Sequence, residues 1–211
     1  MELTILANET LKQEILRKGL GMGIVVNWMN EITQLKDHTS SDLYIDMDFE
    51  TTDKDLRISS LISTGKPVII NAVSTTLSSI GKPQHFIRIN GWPGFISREI
   101  VEIAAAEPHH AEKIFQSLGW KYIITPDIIG FYTARVIAAI INEAYYTFDD
   151  AVSSKEEIDI AMKLGTNYPY GPFEWARLIG IEKIRSLLYT LSKEDARYTL
   201  APSLLKEPDP S

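Results

Sequence analysis

Hydrophobic positions along this chain follow two regimes. In roughly the first 125 residues they come in short runs: 3–7, 23–29, 43–49, 68–70, 86–89 and 122–124. Such runs, rich in Ile and Val, predict buried strands. Between them lie stretches with helical spacing. Residues 10–18 place Leu11, Ile15 and Leu16 on one face and end in Arg17, Lys18 and Gly19, as a helix C-terminus favours. Residues 55–64 and 111–118 read as two further helices. Short apolar strands alternating with helices predict a mostly parallel α/β sheet.

Beyond Pro126 the period changes to a helical one. Ile137, Ile140, Ile141, Ala144, Tyr145 and Phe148 share one face of a long amphipathic helix. Ser154 followed by Glu157 offers a capping box for the next. The stretch 165–180 then reads as helix end, fixed loop and helix start. Gly165 is the expected left-handed C-cap, Pro169, Gly171 and Pro172 fix the loop, and Phe173, Trp175, Ala176, Leu178 and Ile179 line the following helix up to Gly180. Residues 181–191 predict one more helix, and the Pro-rich tail 202–211 is expected to fray. The predicted domains are 1–126, α/β, and 127–211, all-α.

Composition narrows the chemistry. The 211 residues contain no cysteine, which excludes disulfides, thiolate zinc sites and a cysteine nucleophile and suits a cytoplasmic protein. The net charge of -7 argues against sequence-independent nucleic-acid binding. No apolar run approaches the ~20 residues of a membrane span, and the start lacks the pattern of a targeting segment. No metal site is expected: His109 and His110 stand at a helix start as solvated residues, and His38 has no visible partner.

Several segments resemble one family in the same order. The run 157–165, then Pro169-Tyr170-Gly171-Pro172-Phe173-Glu174, then Leu178-Ile179-Gly180, is similar to the C-terminal helical domain of the 3-hydroxyacyl-CoA dehydrogenases, most of all the 3-hydroxybutyryl-CoA type. Gly130-Phe131-Tyr132-Thr133-Ala134-Arg135 resembles that family's Gly-Phe-Val-x-Asn-Arg motif. Lys66-Pro67 with the Asn71 region resembles its Lys-Pro…Asn-Thr-Ser-Ser stretch, and Ile100-Val101-Glu102-Ile103 its Leu-Val-Glu-Val. The resemblance implies a reduced Rossmann domain followed by a helical domain that forms a homodimer. It also implies interconversion of 3-hydroxyacyl-CoA and 3-oxoacyl-CoA thioesters with NAD.

Residue by residue, the resemblance places Glu102 at the family's catalytic Glu and Asn90 at its catalytic His. An amide is no general base near pH 7. Ser74 falls near the substrate-binding Ser, with Val73 fitting an adjacent register, and Ala134 falls at the substrate-binding Asn. His85 is the alternative base, and a solvent-facing strand residue is the plain alternative for Glu102. No cofactor-binding residue is assigned, because the first strand runs into Asn8-Glu9-Thr10 and not into Gly-x-Gly-x-x-Gly. Gly19-Leu20-Gly21-Met22-Gly23 follows a helix and precedes a strand, the reverse of the required order, and reads as a helix stop and turn. The expected function is a divergent 3-hydroxyacyl-CoA dehydrogenase. The alternative is an inactive acyl-CoA-binding or partner-binding dimer that has lost NAD binding.

Overall fold

The apolar runs of the first half become the strands of one seven-stranded sheet. In a computed structural model that describes residues 1–51 and 53–208, these are β1 (Glu2–Leu6), β2 (Val25–Met29), β3 (Leu43–Asp46), β4 (Val68–Asn71), β5 (Phe86–Ile89), β6 (Ile100–Ala105) and β7 (Lys121–Ile124). Their order is β2-β1-β3-β4-β5-β6-β7, and every pair is parallel except β5 with β6. The fold class is therefore the predicted one, a mostly parallel sheet followed by helices.

Burial on both faces explains why the central strands are continuously apolar. Leu3, Ile5, Ile45, Ile69, Ile87, Ile89 and Ile103 form one core with α1 (Glu9–Lys18) and α3 (Pro108–Leu118). Leu6, Tyr44, Val68, Ile70 and Phe86 form the other with α2 (Lys54–Ser63) and the 3-10 helix Ile32–Asp37. Gly19 ends α1, and the glycine-rich 19–23 stretch is a turn, with Gly21 donating to Leu118 O at 3.0 Å.

The chain forms two units, Met1–Phe131 and Tyr132–Ser211. Residues 127–131 stay with the first. Asp127 accepts from Leu77 N and Ser78 N at 3.0 and 2.9 Å, and Gly130 N donates to Val73 O at 2.8 Å.

The second unit holds α4 (Thr133–Asp149), α5 (Lys155–Thr166), α6 (Pro172–Ile179), α7 (Ile181–Ser192) and α8 (Pro202–Lys206). Ser154 and Glu157 form the capping box of α5. That helix runs past Gly165, and its left-handed cap is Asn167 with φ 56°. Asn tolerates that conformation, so the glycine is not needed there. The tail is ordered as far as the described residues reach: Asn142 donates to Thr199 O at 2.7 Å and accepts from Ala201 N at 2.9 Å, which seats α8 with Leu204 buried. Of the stretch 202–211, expected to fray, the last part, 209–211, lies outside the described residues.

The motif before Gly180 is structural. Asp159, the buried residue of α5, accepts from Phe173 N at 2.8 Å and so caps α6. A Cβ on Gly171 would overlap that carboxylate, which explains the glycine. Glu174 accepts from Gly171 N at 2.9 Å and pairs with Lys163.

Candidate active site

The carboxyl ends of β3, β4 and β5 are tied together by one side chain. Asn71 ends β4. Its amide donates to Met47 O and Gly91 O and accepts from Gly91 N, each at 3.0 Å. A Cβ on Gly91 would come within 2.9 Å of Asn71, so glycine is required for this approach.

Next to Gly91 stands Asn90. Because β6 runs antiparallel to β5, Asn90 meets Glu102, twelve residues on. Asn90 N donates to Glu102 O at 3.0 Å, and Asn90 Nδ2 donates to Glu102 Oε2 at 2.9 Å. Both side chains are buried, so Glu102 is no solvent-facing strand residue. The fold thus joins the two residues that the resemblance placed at the family's catalytic pair.

Ser74 lies three residues past the end of β4, the strand beside β5, and is half-buried. Its backbone N donates to Glu50 Oε1 at 2.9 Å, and Val73 N donates to Glu50 Oε2 at 2.9 Å. Ala134 belongs to the second unit, fully buried in α4, and offers no side-chain hydrogen bond. His85 lies before β5, at the opposite end of that strand from Asn90, and burial lowers its imidazole pKa, with His110 adding to the effect. Among the described residues no group of three His, Asp or Glu is arranged for a metal ion.

Two arginines were not singled out by the sequence. Arg88, fully buried, donates from Nε to Ala72 O at 2.9 Å and from a terminal nitrogen to Asp127 at 2.6 Å. It also donates to the Val73 and Ile128 carbonyls and stacks over Phe131. Burial lowers its pKa, opposed by Asp127 and Glu50. The signal was a lone Arg inside the apolar run Phe86-Ile87-Arg88-Ile89, a position that needs buried partners. Arg98 lies with its guanidinium 3.8 Å from the centre of the Phe95 ring. Burial lowers its pKa too, and the charge of Glu102 raises it.

At the β1–α1 turn, Asn8 Oδ1 accepts from Leu11 N at 3.0 Å and Asn8 Nδ2 donates to Asp48 Oδ1 at 3.3 Å. Glu9 stands in the first helical turn. Asp46, at the end of β3, accepts from Arg57 on both oxygens at 2.8 Å, and burial pushes its carboxyl up to about 6 against that pairing.

Residues 130–208 match the family described as 3-hydroxyacyl-CoA dehydrogenase, C-terminal domain. A 3-hydroxybutyryl-CoA dehydrogenase of Bradyrhizobium diazoefficiens is 30% identical over 189 residues, 82% of this chain and 64% of the relative. A 3-hydroxyadipyl-CoA dehydrogenase of Escherichia coli is 36% identical over 116 residues, 52% of this chain and 24% of that protein. The chain therefore spans less than two thirds of the length of these curated relatives. Among solved structures, (S)-3-hydroxybutyryl-CoA dehydrogenase from Ralstonia eutropha is similar in fold, with a TM-score of 0.74, 20% identity, and coverage of 97% of this chain and 92% of the other.

Proposed function

The chain belongs to the 3-hydroxyacyl-CoA dehydrogenase family, and from that premise we propose that it is a divergent dehydrogenase-like member of the 3-hydroxybutyryl-CoA type, handling 3-hydroxyacyl-CoA and 3-oxoacyl-CoA thioesters at Asn90 and Glu102. The observation that carries this reading is the buried hydrogen bond between the two side chains. Glu102 is the ionisable member of the pair, and by accepting from Asn90 Nδ2 it orients the amide, which is itself no base. The Ser74 hydroxyl, at the end of the neighbouring strand, is a second donor toward the substrate oxygen. Ala134 supplies none.

The family is NAD-dependent, and NAD is the hydride partner that membership implies. The β1–α1 turn favours a second reading. A pyrophosphate binds a helix N-terminus through backbone N–H groups brought close by glycines. Here Asn8 already accepts from Leu11 N, and Glu9 and Asp48 place carboxylates where phosphates would approach. Like charges oppose binding there. The group does not fit this turn. The second reading is a thioester-binding protein without hydride transfer.

A homodimer through the helical unit belongs to the same proposal. Trp175, Leu187, Leu188 and Leu191 are buried within that unit. Val136, Ile160 and Leu164 remain exposed and support burial against a second copy. Absence of cysteine supports a reducing, cytoplasmic setting. No helix among the described residues is long and apolar enough to cross a membrane.

Calorimetry with NADH and acetoacetyl-CoA on the full chain separates the readings. Binding of both, followed by turnover, supports the dehydrogenase. Acetoacetyl-CoA binding alone supports the second reading, and binding of neither sinks both. A monomer at micromolar concentration by light scattering refutes the dimer.

A further inference from the structure

A cavity of about 310 Å³ lies between the C-terminal turn of α1, the loop before β6 and the start of β7. Arg17, Lys18, Arg98 and Lys121 line it, with Glu99 as its single carboxylate. Four cations against one anion is a local excess of positive charge in a chain of net charge -7. The dipole of α1 accounts for Arg17 and Lys18 at its last turn. It does not account for Arg98 or Lys121, which come from other segments.

Two of the cations are held in place. Lys18 Nζ donates to Arg98 O at 2.5 Å and lies 5.4 Å from the Trp120 ring centre, while the Arg98 guanidinium lies 3.8 Å from the centre of the Phe95 ring. Trp120 is fixed in turn by donating to Gly19 O at 2.7 Å. The other two, Arg17 and Lys121, are exposed and able to close on a ligand, although Lys121 now pairs with Glu99 at 2.5 Å. Convergent guanidinium and ammonium groups with preset donors suit phosphate oxygens above other anions.

We propose that this cavity is a phosphate site that takes the nucleotide bisphosphate end of the coenzyme A thioester whose acyl end lies at Asn90–Glu102. The assignment rests on the thioester reading above. Arg98 links the two places: it lines the cavity, and the charge of Glu102, four residues along, acts on its guanidinium against the effect of burial. Four residues of extended chain span at most roughly 14 Å, a distance that the flexible pantetheine arm bridges.

The test uses calorimetry on the full chain with four probes: acetoacetyl-CoA, acetoacetyl-pantetheine, adenosine 3′,5′-bisphosphate and inorganic phosphate. The variant is the double substitution Arg17→Ala/Lys121→Ala, at two exposed positions, with its melting temperature checked. Acetoacetyl-CoA is expected to bind at least about tenfold more tightly than acetoacetyl-pantetheine. The double variant is expected to lose most of that preference with acetoacetyl-pantetheine affinity unchanged. The bisphosphate is expected to compete with acetoacetyl-CoA and to bind more tightly than phosphate.

Equal affinity for the two thioesters overturns the cavity assignment and leaves the thioester reading standing. So does a preference that survives the double substitution. A bisphosphate that binds without competing, or no better than phosphate, also overturns it. Failure of acetoacetyl-pantetheine to bind at all counts against the thioester reading, and the bisphosphate arm then still decides whether the cavity binds a nucleotide.

Discussion

Asn90 and Glu102 are joined twice, once through the backbone at 3.0 Å and once through the side chains at 2.9 Å. The first bond is part of the antiparallel pairing of β5 with β6. The second makes the pair a single polar unit inside an apolar strand environment. Breaking the chemistry without breaking the strand is therefore feasible. Glu102→Gln keeps shape and removes charge. It is expected to leave urea stability within about 1 kcal/mol of the parent and to weaken acetoacetyl-CoA binding by about tenfold or more. Unchanged affinity would remove Glu102 from the site.

Arg88 links β5 to the segment that leaves the sheet, bonding to Ala72, Val73, Asp127 and Ile128. Arg88→Ala leaves a carboxylate and several carbonyls without their donor. Removing one partner of a buried ion pair costs about 3–5 kcal/mol, and urea denaturation is expected to show a loss of that size. Arg88→Lys is expected to recover little, because an ammonium cannot serve carbonyls in several directions as the planar guanidinium does. A fully stable Arg88→Lys protein would refute that account.

The parallel sheet was legible because its strands are uninterrupted apolar runs, and the helical half because Ile137 to Phe148 keep one period. The antiparallel turn of β6 was not legible. Strand direction is set by the partner, and Ile100 to Ala105 reads the same either way. The Asn90–Glu102 contact depends on that direction, so only the resemblance to known sequences pointed to it. The basic cavity was still less accessible, since Lys18 and Lys121 lie about a hundred residues apart and meet only through the packing of α1 beside Trp120. Gly165 misled because glycine is the usual left-handed cap, and here Asn167 takes that conformation.

Asp46 makes stability depend on pH with an unusual sign. Burial raises its carboxyl to about 6, and the attraction of Arg57 only partly opposes this. The folded protein therefore binds this proton more tightly than the unfolded chain does. The resulting stabilisation is present below the ordinary carboxylate value and is lost as pH rises through about 6. Its upper bound is about 3 kcal/mol, from about 1.4 kcal/mol per unit. Asp127, with a lowered pKa, contributes in the opposite direction. The difference between the parent and Asp46→Asn isolates the Asp46 contribution, and it is expected to fall between about pH 4 and 6. A flat difference, or a carbon-13 titration midpoint for Asp46 near the ordinary value, would refute it.

The α5–α6 corner couples Asp159 to Gly171. Asp159 caps α6 through Phe173 N, and Gly171 leaves the space in which that carboxylate sits. Asp159→Ala is expected to cost about 1 kcal/mol, the usual worth of a helix cap. Gly171→Ala is expected to cost about 1–3 kcal/mol, since its Cβ must displace Asp159 or the backbone beside it. The two losses share one cause, the displaced carboxylate. The double variant is accordingly expected to lose less than the sum of the singles, by about 0.5–2 kcal/mol. Urea unfolding of all four proteins measures this directly. Strict additivity would mean that the glycine is required by the backbone at Asp159 and not by its carboxylate.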